Sequence, residues 1–201
     1  FVATINNVTL QYPQFPLLLE PSLLNDSFFC NGHSLKEHQC LNVVNATVCK
    51  CIHLLRVKLD SIVELVIYNL NDKISHPMHL HGHKFHVVDT GLFEDINVRS
   101  ELKKKTDFSK DRPAFKDTVA LPFPGYVRLR FKADNPGFWL LHCHFDWHIS
   151  IGKAMKRCQK LQINANFTGM ALIIQVGDFN EMPQPPENLP RCHPYIPYSL
   201  N

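Results

Sequence analysis

Two short histidine-rich segments constrain this chain more than any other feature: His76-Pro-Met-His-Leu-His-Gly-His83 and His142-Cys-His-Phe-Asp-Trp-His148. With His86 they hold eight of the 12 histidines. In an extended strand, residues two apart share a face and adjacent residues oppose one another. His79 and His81 can therefore reach one centre together, as can His142 and His144, while Cys143 points the opposite way. One short strand can then serve two metal centres, with a thiolate on one side and imidazoles on the other.

The rest of the sequence supplies strands. Ser61-Ile-Val-Glu-Leu-Val-Ile-Tyr68 is apolar on both faces, and Lys84–Asp89, Asp117–Leu121, Phe138–Leu141 and Ala171–Val176 follow. Tyr126–Lys132 alternates Val127, Leu129 and Phe131 with Arg128, Arg130 and Lys132, the pattern of a half-buried strand. Asp134-Asn-Pro-Gly137 supplies turn chemistry. With no amphipathic helix in sight, the class expected is all-β, an antiparallel sandwich or barrel. We divide the chain into a Cys-rich lead-in (1–52), the β domain (53–182) and a Pro-rich extended tail (183–201). Within the lead-in, residues 1–29 are apolar and Pro-interrupted, and read as an edge segment.

A chain of 201 residues with 45% hydrophobic side chains can bury a core. Its net charge of +3 is too mild to point to nucleic acid or a membrane surface. No run approaches the roughly 18 apolar residues of a membrane span. The chain starts at Phe1 without an initiator Met or signal peptide, so it is expected to continue upstream. Asn7, Asn25, Asn45 and Asn166 open N-x-[ST] glycosylation patterns. Cys30, Cys40, Cys49 and Cys51 lie in a loop-like stretch with spacings unlike zinc knuckles. Together these features indicate a disulfide framework in an oxidising compartment, and hence secretion.

One Cys with two His is the ligand set of a blue-copper site. Cys143, His148 and one His of the first segment would supply it, and the imidazole pairs suit a copper cluster that binds dioxygen. A zinc site, or histidines serving only as polar strand residues, remain alternatives. Neither explains the duplicated pairs flanking a Cys.

H-P-M-H-L-H-G-H and H-C-H-x3-H resemble the two copper motifs in the C-terminal cupredoxin domain of multicopper oxidases, specifically laccases. Lys116-Asp-Thr-Val119 and Phe131-Lys-Ala-Asp-Asn-Pro-Gly-Phe-Trp139 extend the resemblance, and the Cys-rich segment is more like insect-type laccases than fungal ones. The resemblance implies a Greek-key β-sandwich of cupredoxin type. It also implies that His76, Cys143 and His148 bind type 1 copper, that His79 is a type 2 ligand, and that His81, His142 and His144 serve the type 3 pair. His83 and His86 match no ligand position and are expected to be supporting or structural. The implied chemistry is one-electron oxidation of phenolic substrates, electrons passing through Cys143 to His142 and His144, and reduction of dioxygen to water. Asp146 either tunes the site or is a solvated acid.

Two departures stand out. The family's trinuclear cluster takes eight imidazoles, and His79, His81, His142 and His144 supply four. The others would come from upstream cupredoxin domains carrying H-W-H and H-x-H motifs. The alternative is a mononuclear copper electron-transfer module or an inactive fragment. The second departure follows His148, where the family's axial position holds Lys153. Removing residues 153–169 joins Gly152 to Met170, placing a thioether at that position. We read the 17 residues as a retained intron or gene-model error. The alternatives are a genuine basic surface loop, or Met155 as a displaced ligand. Of the seven Cys, this leaves Cys30, Cys40, Cys49, Cys51 and Cys192 for disulfides once Cys143 and Cys158 are set aside. One of these five is expected to pair upstream.

Overall fold

The computed structural model describes residues 4–13, 16–19, 29–30, 40–43, 46–70, 72–93, 112–145, 169–186 and 188. Among the described residues there are twelve strands: β1 (Val8–Leu10), β2 (Phe29–Cys30), β3 (Cys40–Val43), β4 (Ala46–Val57), β5 (Ile62–Asn69), β6 (His76–Leu80), β7 (Phe85–Leu92), β8 (Ala114–Lys116), β9 (Thr118–Leu121), β10 (Gly125–Lys132), β11 (Gly137–Cys143) and β12 (Ala171–Val176). A single 3-10 turn, Phe179–Glu181, is the one helical element among the described residues, and none of their helices is long and apolar enough to cross a membrane. The all-β expectation holds.

The strands form two sheets. The larger runs β1-β4-β12-β11-β6-β9, with β2 and β3 also on β4, and the smaller runs β5-β10-β7-β8. Between them lies the main core, built from residues such as Met78, Phe85, Leu129, Leu141, Cys143 and Ile174. Alternation on β10 explains its place. Val127, Leu129 and Phe131 are 0%, 1% and 3% exposed, each worth roughly 1.5–3 kcal/mol of burial. On the outer face Arg128 and Arg130 share Glu64 of β5, and the Arg130 hydrogen bond, then Arg128, holds that carboxyl below the usual range.

β12 is buried on both faces, and the N-terminal segment accounts for this. Leu172, Ile174 and Val176 enter the main core, while Ala171 and Ile173 meet a second cluster with Leu10, Leu17, Phe29, Ile52 and Leu54. The segment expected at an edge does place β1 at the end of the larger sheet, and Leu10, Leu17 and Phe29 also cover the outer face of β12. The Cys-rich stretch also differs from its loop-like reading. β3 and β4 pair antiparallel with Cys40 opposite Cys49, and disulfides join Cys40–Cys49 and Cys30–Cys51. β4 runs continuously through the division drawn after residue 52. His53, on this strand, is fully buried, and burial lowers its pKa to about 4, so it is neutral near pH 7.

Candidate metal centre

β11 sits between β12 and β6, and its C-terminal end carries the site. His142 lies opposite His79 and Cys143 opposite Met78. On β6, His76, Met78 and Leu80 are each 1% exposed and face the core, so Pro77 and His79 face outward. The same period-2 geometry on β11 sends Leu141 and Cys143 inward and His142 outward. The larger sheet thus separates two groups of donor atoms that one covalent step connects.

Cys143 and His76 form the inner group. Cys143 is fully buried and outside any disulfide, with Sγ 3.6 Å from His76 Nδ1. His76 Nε2 lies 3.2 Å from Asp72 Oδ2. Burial raises the thiol pKa, the Phe145 amide opposes that shift, and the Asp72 charge adds to it. The Cys143 amide donates to the Met170 carbonyl at 3.0 Å, and Met170 packs on the main core. A cavity of about 880 Å³ opens beside His76, lined also by Tyr68, Asp72, Met78, Met170 and Leu172.

His79, His81, His142 and His144 form the outer group. Ligand nitrogens of His79, His81 and His142 all lie within 4.8 Å of one another. The His81 and His142 Nε2 atoms are 3.0 Å apart, and the His144 ring stacks on His142 with centroids 5.5 Å apart. Backbone carbonyls set the tautomers. His142 Nδ1 donates to Cys143 O at 2.9 Å, and His79 Nδ1 lies 3.0 Å from Asp117 O and 2.9 Å from Thr118 Oγ1. A neutral imidazole that donates from Nδ1 keeps its Nε2 lone pair for a metal. Burial, followed by the neighbouring histidines, lowers the pKa of His81, while for His142 burial leads and the Cys143 carbonyl opposes it. His81 and His142 therefore favour the neutral imidazole, the form that binds metal.

The donor chemistry fits copper on both sides. A buried sulfur beside an imidazole is a soft, low-polarity pair, and converging imidazoles suit a copper cluster. His148, Asp146, Cys158, Cys192, Met155, and the sequons at Asn25, Asn45 and Asn166 lie outside the described residues, as do 153–168. His83 is buried against Phe131 and Trp139, with centroids at 5.2 Å and 5.7 Å, and His86 lies exposed against Phe115, so neither joins the donor groups. Motif reading missed Asp72, Asp117 and Thr118, which orient the rings. Asp72 stands four residues before His76 in a turn, a spacing that carries no strand periodicity.

A β-sandwich with a Cys–His pair on the inner face of one sheet and clustered imidazoles on its outer face has the architecture of a cupredoxin-type domain. Residues 24–160 match the multicopper oxidase family, and this chain belongs to that family, for which copper is the implied metal. It is 32% identical to laccase-12 of Arabidopsis thaliana over 96% of this chain and 33% of that protein. Laccase-2 of Botryotinia fuckeliana is 45% identical over 48% of this chain and 17% of that protein. The L499M mutant of the laccase from B. aclada aligns at TM-score 0.48 and 31% identity, covering 66% of this chain and 21% of that one. The chain thus spans a third or less of the length of these relatives.

Proposed function

We propose that this chain is the C-terminal domain of a secreted laccase-like oxidase, acting on phenolic or diphenolic small molecules with dioxygen. The observation that carries the reading is the back-to-back placement of Cys143 with His76 and of His79 with His81 and His142. In this reading His76, Cys143 and His148 would hold type 1 copper, with the Met170 thioether as a further donor. His79, His81, His142 and His144 hold half of a type 2/type 3 cluster, completed by four imidazoles of upstream cupredoxin domains. Bound copper supplies one-electron chemistry, so that four substrate oxidations balance one dioxygen reduced to two waters. The chain itself supplies the connection. From Cys143 Sγ the route runs through the Cys143 backbone to His142 and His144, and the His142 Nδ1 bond to the Cys143 carbonyl gives a second link. Buried apolar residues around Cys143 keep water from the sulfur.

The full-length protein is expected to bind about four coppers per chain, with an intense blue band. Zinc alone, with no blue band, would overturn the proposal.

We also propose that residues 153–169 do not belong to the mature protein. Met170 supports this, because its carbonyl already pairs with Cys143 and its side chain already lines the cavity beside His76. A thioether there would be a suitable weak donor to copper. Gly152 joined to Met170 would lead directly into β12. Sequencing the transcript is expected to show a message shorter by 51 nucleotides, three for each of the 17 residues. A mature message that keeps them all sinks the idea.

A further inference from the structure

We infer that Asp72, braced by Asn69, is the positioning residue that aims His76 at Cys143 and tunes that pair. The inference rests on the reading of His76 and Cys143 as ligands of one copper. His76 is 1% exposed, with Nδ1 3.6 Å from Cys143 Sγ and Nε2 3.2 Å from Asp72 Oδ2. A neutral imidazole carries one N–H, and a carboxylate only accepts. The Asp72 carboxylate facing Nε2 therefore favours the proton there and leaves the Nδ1 lone pair facing the sulfur, adding to the Cys143 contact and the edge-on Phe145 ring in setting the imidazole.

Asp72 is itself held. Asn69, 7% exposed at the end of β5, accepts the Asp72 amide on Oδ1 at 3.1 Å. Its own amide donates to the carbonyls of Asp72 and Ile74, each at 2.9 Å. One buried side chain thus closes the turn between β5 and β6 with three hydrogen bonds, and the turn presents Asp72 to His76. Asn69, Asp72 and His76 form one unit, with strands β5 and β6 anchoring its ends. Such partners behind a ligating imidazole typically contribute 10–100-fold in metal affinity or activity. A carboxylate this close to the centre also favours the more positive, oxidised state of a bound metal.

The test uses full-length, copper-loaded protein and three variants, Asp72→Ala, Asp72→Asn and Asn69→Ala. Asp72→Ala is expected to raise the reduction potential of the blue centre and to speed copper loss to a chelator by about 10-fold or more. Asp72→Asn keeps an acceptor oxygen without the charge. It should raise the potential while holding copper better than Asp72→Ala, a split that simple unfolding would not produce. Asn69→Ala should shift both readouts in the same direction as Asp72→Ala, but less. A blue wild type whose Asp72 variants keep both its potential and its copper-release rate overturns this inference alone. A wild type without the blue band overturns the copper reading and this inference with it.

Discussion

In the full-length protein, Cys143→Ser is expected to remove the blue band entirely and to lower turnover by more than about 100-fold. That figure is the upper end of what losing a mere supporting partner costs, and Cys143 is proposed to touch the metal itself. The substitution exchanges a soft sulfur for a hard hydroxyl at a fully buried position 3.6 Å from His76. It also removes the sulfur from which the Cys143 backbone leads to His142 and His144 on the other side of the sheet. Burying a hydroxyl without a good partner costs about 1–3 kcal/mol, so Cys143→Ala is the companion that separates chemistry from folding. Both variants should lose about one copper per chain, because His79, His81, His142 and His144 are on the other face. Copper analysis, the visible spectrum and oxygen uptake check this together. A serine variant that keeps the blue band would remove Cys143 from the site.

The outer histidine pairs and the opposite-facing Cys143 were legible because period-2 geometry converts a run of residues into two faces without knowledge of anything distant, whereas His76 was named only through the family resemblance. His142 and Cys143 need only a strand to be separated. What orients their rings was not legible, because it depends on partners brought in by other elements. Asp117 and Thr118 reach His79 only once β9 pairs with β6, and Asn69 matters only through a turn. The strands of the core declared themselves in the sequence, Ala171–Val176 with the same limits in both readings. The lead-in did not. Its cysteines concealed a β3–β4 pair, and the edge reading, met by β1, did not reveal that Leu10, Leu17 and Phe29 also cover the outer face of β12, well over a hundred residues away. His83, expected to be supporting or structural, is enclosed by Phe131 and Trp139 from two later strands.

Gly82→Ala is expected to destabilise the domain by about 3–4 kcal/mol and to disturb the imidazole group together with it. Gly82 follows His81 at the end of β6, where the chain turns with φ +68, a conformation that a side chain makes costly by about 1–2 kcal/mol. A Cβ built there would lie 2.2 Å from Trp139 Cε3, inside any tolerable contact. Trp139 has little freedom to withdraw, since its indole N–H donates to the Asn135 carbonyl at 2.8 Å and its ring packs on His83 and the main core. Overpacking of this kind adds typically 1–3 kcal/mol. The Asn135 amide in turn donates to the Gly82 carbonyl at 3.0 Å, so moving the turn breaks a bond that ties it to the loop between β10 and β11. The His81 amide donates to the Leu140 carbonyl one residue earlier, which makes the ring the next thing to shift. For a domain of this size the loss corresponds to a melting temperature lower by roughly 6–16 °C. Thermal unfolding and copper counting on the full-length variant check both parts. Because His81 belongs to the outer group, the blue centre of Cys143 and His76 should survive at temperatures where the variant is folded, while copper on the imidazole side falls. Unchanged melting with all coppers retained would mean that the Gly82 turn and Trp139 do not hold His81 in place.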